Sequence, residues 1–287
     1  MKNIKYLLQF FFIMFFFGIF KIIGLKNSKY LSGNLMTLLG PIFRSKKIIF
    51  SNLSKAFPNL NDIEKKKILK KMWFNYGRIF AEYMFIKDFR NNSKEFNKII
   101  VENPEILEKI KIDSRPVIFI SGHFNNFELM AMEIEKSGID LAAVYRPLNN
   151  RFINPIMENI RKKYICKKQI KKGLTGTKEL LLNFKKGTSI ALMIDQRVSQ
   201  GIQCDLFGQK ALTTTIPAQF VKKFSAKIVP VYIERNNNKY FKIYFQNPLE
   251  FPKDANIETI TTKLNKLLEN MIIKNPEQWI WSHNRWK

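Results

Sequence analysis

A histidine followed five positions later by a glutamate, His123 and Glu128 in "SGHFNNFEL" (121–129), is the pairing in this chain best suited to acid–base chemistry. An imidazole can take up a proton near neutral pH. A carboxylate on its second nitrogen fixes the tautomer and stabilises the charged ring. The nucleophile would then be a substrate hydroxyl, so this is the base-plus-orienter half of a triad. The spacing sets a condition. Side chains five apart on a continuous helix are turned about 140° from each other, so they meet only if His123 lies in a loop and Glu128 in the first helical turn. Gly122 and "NN" (125–126) suit such a turn and helix start. The same residues have a plainer use, because Asn125 with Glu128 three positions on also matches a capping box that only satisfies backbone donors. The spacing leaves both readings open. Of the chain's 2 histidines, the other, His283, has no acidic residue close behind it and reads as a structural hydrogen-bonding group.

The elements around the pair must place it. "PVIFIS" (116–121) is a short buried strand that ends just before His123, and "FELMAMEIEKSG" is a helix closed by Gly138. The alternation continues with strand 139–146, the helix "NPIMENIRKKYI", the helix "GTKELLLNFKKG" and strand 188–195. It ends with the helix "TIPAQFVKKFSA", the strand "KIVPVYIE" and an outer alternating strand, "KYFKIYFQN". Strands spaced by helices predict an α/β class with a mainly parallel central sheet flanked by helices. In such sheets ligand sites gather at the carboxyl ends of the strands, where His123 falls. Residues 34–90 read as helical, with a capping box at Asn61 and Glu64 after Pro58.

The amino terminus is apolar from Tyr6 to Phe20, interrupted by Gln9 and closed by Lys21. No small-residue cleavage site follows, so a membrane helix is expected rather than a secretory signal. The run is short of the roughly 20 residues that cross a bilayer, although Lys21 can snorkel and extend it to Leu25. Whether it spans or lies in one leaflet stays open. The expected organisation is an anchor at 1–28 and a body at 29–287, helical over 29–110 with an α/β core over 111–287.

With 49 Lys+Arg against 23 Asp+Glu, the net charge of +26 points to an anionic partner such as an acidic membrane or a phosphorylated substrate. The abundance of Lys, Asn and Ile also fits an AT-rich coding sequence, which inflates Lys without functional cause. Nucleic acid is a poor fit, since no zinc, RRM or helix-turn-helix signature accompanies the charge. Cys166 and Cys204 lack metal-ligand spacing and fit a reducing compartment.

Several stretches carry a resemblance. "SGHFNNFEL" looks like the H-x4-(D/E) motif of glycerolipid-type acyltransferases, and "NLSKAFPNL", "VYRPLNN", "DQR", "LFGQKALTTTIPAQF" and "NPEQWIWSHNRWK" accompany it in order. Over nearly its whole length the chain resembles the lipid A secondary acyltransferases of Gram-negative bacteria. The resemblance implies transfer of a fatty acyl chain from acyl carrier protein to a hydroxyl on an acyl chain of a lipid A precursor. It implies a site on the cytoplasmic side of the inner membrane, with no metal and no organic cofactor. It makes His123 the general base and Glu128 its partner, and it matches Arg161 to a functional arginine. Asp195, at the end of a strand, matches a family acidic position whose use is catalysis or, equally, a loop cap or ion pair. Asn125, Asn126, Arg146, Arg197 and Thr214 fall in the motifs expected to bind substrate. Arg161, or N–H groups near Asn125 and Asn126, would stabilise an oxyanion. Thr213–Thr215 equally suit capping of the following helix, and the basic run 160–172 equally suits a solvated helix face. Two other classes stay in view: an acyltransferase for another membrane lipid, and a non-catalytic basic membrane-binding protein.

Overall fold

The computed structural model describes residues 2–91, 99–236 and 240–287. Helix α1 (Lys2–Phe43) contains the apolar amino terminus and is broken at Gly24 by a left-handed φ of 74°. That conformation suits glycine, which has no Cβ to clash. The break frees helical carbonyls, and the Ser28 hydroxyl donates to two of them, Phe20 O at 3.0 Å and Gly24 O at 2.7 Å. Before the break, Ile4, Leu8, Phe11, Phe12 and Phe15 are exposed, whereas Phe17 and Phe20 are buried. From Asn3 to Ile42 the helix is long and apolar enough to cross a membrane.

Helix α2 (Lys46–Ala56) follows, and α3 (Asp62–Glu82) then packs along α1, with Ser32 Oγ donating to Gly77 O at 2.6 Å. The capping box expected at the start of α3 is present. Asn61 Oδ1 accepts from the N–H groups of Ile63 and Glu64 at 2.9 and 3.0 Å, and Glu64 returns the contact to Asn61 N at 2.8 Å. The short helix α4 (Ile86–Arg90) ends this part.

The rest is an α/β body. Its strands are β1 (Ile99–Glu102), β2 (Ile118–Ser121), β3 (Leu141–Tyr145), β4 (Lys168–Lys171), β5 (Ser189–Met193), β6 (Ile202–Leu206), β7 (Gln209–Thr213), β8 (Ile228–Asn236) and β9 (Tyr240–Phe245). The helices between them are α5 (Glu105–Asp113), α6 (Glu128–Lys136), α7 (Asn154–Tyr164), α8 (Leu174–Lys185) and α9 (Ile216–Phe224), and α10 (Ile257–Lys274) follows the last strand. Seven strands form one sheet in the order β1-β9-β8-β2-β5-β3-β4. From β8 to β4 all neighbours are parallel, while β9 runs antiparallel to β8 and parallel to β1. Burial on both faces explains the continuous apolar text of β2 and β8.

Four strands fall outside the sequence reading. β1 lies within the stretch expected to be helical to 110, part of which (92–98) is outside the described residues. β4 occupies the carboxyl end of the basic run 160–172, so that run is half helix and half edge strand rather than one helix face. β6 and β7 form a separate hairpin turning on Phe207 and Gly208, both at positive φ. Strand β9 alternates as expected but is flanked by β1 and β8, so it is not the sheet's edge. The expected boundary at 28 falls inside α1, just past its break at Gly24.

Candidate active site

Strands β2 and β5 are parallel neighbours with Ser121 opposite Met193. Two residues further along each strand therefore come His123 and Asp195, side by side at the carboxyl edge of the sheet. The imidazole Nδ1 stands 2.7 Å from Asp195 Oδ1, and the backbone N–H of His123 donates to Asp195 Oδ2 at 2.8 Å. The indole N–H of Trp279 donates to the same Oδ2 at 2.8 Å. Gly122 allows the strand end to pass this close, because a Cβ there would sit 2.8 Å from the Phe124 ring and 3.3 Å from the Asp195 side chain.

Asp195 is buried, which alone would raise its pKa. The His123 charge and three hydrogen bonds more than reverse that and hold it down at about 2. An ionised Asp195 can only accept a hydrogen bond from Nδ1–H, so the neutral ring carries its lone pair on Nε2. The His123 side chain keeps 20% of its surface exposed, so the ring is not sealed off. The Gln196 amide nitrogen lies 3.5 Å from Nε2, a long contact that an incoming hydroxyl can replace. The Phe127 ring stands edge-on at 4.7 Å and fixes the ring's other side.

Glu128 opens α6, as the spacing required, but it does not touch the imidazole. Its carboxylate is held by Arg161 of α7, from Nη2 at 2.7 Å and from Nε at 3.0 Å. The structure thus replaces the expected His123–Glu128 pair with two pairs, His123–Asp195 and Glu128–Arg161. The physical reason is register: the parallel β2–β5 ladder places a carboxylate beside Nδ1, and the cation across from α6 claims Glu128. Burial would lower the Arg161 pKa, and Glu128 beside it raises it instead. The Tyr83 hydroxyl is buried next to this pair without hydrogen-bond geometry, and burial followed by the Glu128 charge pushes its pKa up.

The capping box at Asn125 is not formed either. Asn125 has a left-handed φ of 43°, its N–H donates to Gln278 O at 3.0 Å, and its amide nitrogen donates to Gln278 Oε1. Its N–H is therefore engaged and does not point at an oxyanion. Asn126 is buried and donates to Glu82 Oε2 at 3.3 Å. Glu82 in turn holds Arg235 by two bonds of 2.6 and 3.0 Å. Both side-chain amide nitrogens are thus engaged with internal partners.

Arg146 is exposed beyond β3, at the same sheet edge as His123. Arg197 is half-buried, and its N–H donates to His283 Nε2 at 3.0 Å. His283 thus serves as a structural acceptor, and burial lowers its pKa. Thr214 Oγ1 accepts from Ile216 N at 3.4 Å ahead of α9, and Thr213 Oγ1 accepts from Arg285 at 2.7 Å. These threonines shape the chain locally. Among the described residues no group of three His, Cys, Asp or Glu side chains could hold a metal. A cavity of about 590 Å³ between α2, the β6–β7 turn and α10 is lined by none of the candidate site residues.

Sequence reasoning passed over Gln196, Gln278 and Trp279 as site residues and undervalued Asp195. Its signal was the matched ends "ISGH" and "LMID", which lie opposite each other once the two strands are paired.

The profile of the bacterial lipid A biosynthesis acyltransferases matches residues 1–287. The chain belongs to that family. It is similar to the lipid A biosynthesis lauroyltransferase of Escherichia coli, with 26% identity over 85% of this chain and 79% of that protein. Lipid A biosynthesis acyltransferase 2 of Shigella flexneri is 24% identical over 80% of this chain and 74% of its own length. The E. coli myristoyltransferase of lipid A biosynthesis is 22% identical over 87% and 76%. The protein is accordingly an acyltransferase.

Proposed function

We propose that this acyltransferase moves a fatty acyl chain from an acyl carrier protein thioester to a hydroxyl on an acyl chain of a lipid A precursor. The observation that carries the proposal is the imidazole of His123, oriented through Nδ1 by a buried carboxylate and met at Nε2 only by a long amide contact. The acceptor hydroxyl gives its proton to Nε2 as its oxygen attacks the thioester carbonyl. The tetrahedral intermediate collapses, the C–S bond breaks, and the imidazolium returns the proton to the leaving thiolate. Products are the ester and the free carrier thiol. Asp195 stabilises the imidazolium between these steps without itself taking the proton. Glu128 and Arg161 act one layer away, fixing the start of α6 behind the His123 loop.

The net charge of +26 suits a phosphorylated acceptor and an acidic carrier. The exposed apolar face of α1 suits a bilayer, which we place as the inner membrane, with the α/β body on its cytoplasmic side. The test is acyl transfer by the full chain in detergent or vesicles, with acyl carrier protein as donor and product mass as readout. The wild type should add one acyl chain to a lipid A precursor, and His123→Ala should lose at least about 10³-fold in kcat. An undiminished His123→Ala variant overturns the base. Product on another glycolipid with none on the lipid A precursor overturns the acceptor.

A further inference from the structure

The carboxyl-terminal tail lies against the site without supplying a reacting group. We propose that two of its residues are positioning residues for acyl transfer: Gln278 sets the loop that carries His123, and Trp279 fixes the Asp195 carboxylate that orients the ring. The proposal rests on His123 acting as the base.

Loops are mobile unless held, and a left-handed asparagine needs partners to stay there. Asn125 finds its two shortest contacts in Gln278, through the backbone oxygen and the side-chain Oε1, and its amide nitrogen also reaches Ile233 O of β8 at 3.4 Å. The Gln278 amide is at the same time tied to β8, accepting from Arg235 N at 2.9 Å and donating to Arg235 O at 3.1 Å. A bridge between Phe124 and Trp279 adds strand-like pairing next to His123. Gln278 thus joins the loop to the central sheet, beside the longer direct bond from Asn125 to Ile233 O.

Trp279 acts on the other member of the dyad. A carboxylate turns easily about its terminal torsion, so its orientation is set by its donors. Asp195 Oδ2 receives two, the His123 N–H and the Trp279 indole, which leaves Oδ1 directed at Nδ1. Without the indole, Oδ2 keeps only the donor from the His123 loop itself. Trp279 is 2% exposed and packs edge-on to Trp281 at 4.6 Å. Trp281 is buried too, but its indole donates to Pro276 O at 2.7 Å, away from Asp195. It is a matched control.

The charged groups that face Asp195 are His123, Lys172, His283 and Arg285. None of them changes in Trp279→Phe. Losing the indole leaves more negative charge towards the ring and favours its protonated form, so the acid limb of the rate profile moves to higher pH. Trp279→Phe should lower kcat about 10-fold with KM nearly unchanged, and move that limb up by about half a unit. Trp281→Phe should lose comparable thermal stability and leave the limb in place. Gln278→Leu should lower kcat about 10-fold with the limb unmoved. The proposal is overturned if Trp279→Phe keeps the wild-type kcat and limb, or if Trp281→Phe moves the limb equally. Where Trp279→Phe does not fold, Gln278→Leu decides, and an unchanged kcat overturns it. An active His123→Ala variant would instead place the failure with the base.

Discussion

Two ion pairs flank the loop between β2 and α6, and they differ in what they leave open. In His123–Asp195 the carboxylate is buried and triply bonded, while the imidazole is partly exposed and its Nε2 has only the long Gln196 contact. In Glu128–Arg161 both partners are largely covered, at 9% and 13% side-chain exposure, and two donors of the guanidinium are spent on the carboxylate. The first arrangement can gain and lose a proton while its frame stays fixed. The second holds two elements, α6 and α7, in one place. A histidine and a glutamate only five positions apart thus serve different pairs, and distance along the chain was a poor guide to which carboxylate meets the imidazole.

The largest effect that separates the pairs is expected at Asp195. Asp195→Asn should remain folded by circular dichroism and lose about 10³- to 10⁴-fold in kcat, because an amide favours the wrong tautomer. Glu128→Gln should lose far less turnover; if it alone abolishes kcat without unfolding while Asp195→Asn stays active, the assignment of the two pairs is reversed. Next comes Arg161→Ala, which strands a buried carboxylate and should cost about 3–5 kcal/mol of stability in denaturant titration. A midpoint equal to the wild type would show that the second pair is not the brace described here.

A smaller effect is expected in acid. The Asp195 pKa is lowered on folding from 3.8 to about 2, so its stabilisation is complete above about pH 4 and is lost as pH falls towards 2. Asp195→Asn should flatten the stability–pH curve across that window by roughly 2 kcal/mol. An unchanged slope would remove Asp195 from the acid response. The smallest effect belongs to His283→Gln, which keeps an acceptor for Arg197 N and should change kcat by no more than about threefold. A loss as deep as that of His123→Ala would make both histidines essential.

How much of this was legible follows from where each signal lies. β2, β3, β5 and β8 were readable because strands buried on both faces are apolar throughout, and α3 because its capping box is local. β4 was hidden because an edge strand such as "KQIK" exposes its lysines and reads as a charged run. The hairpin of β6 and β7 was hidden in a stretch read for its pocket-forming residues. His123 was legible through its type and its place at a strand end. Its partner was not, because the β2–β5 register joins residues 72 positions apart and propensity carries no such information. Gln278 and Trp279 lie further off still, and nothing local to the tail announces what they touch.

The first turns of α1 carry one more consequence. Asn150, beyond β3, donates to Tyr6 O at 2.8 Å and to Gln9 Oε1 at 3.3 Å, and Phe152 lies beside Phe10. Further along, Phe17 stacks on Phe80 of α3 at 5.1 Å. The polar interruption at Gln9 is therefore a fastening point. A segment fastened at two points is a doorpost rather than a leash: its position is tied to the sheet edge that carries His123, and cutting it away would expose Asn150 and the Phe80 face of α3.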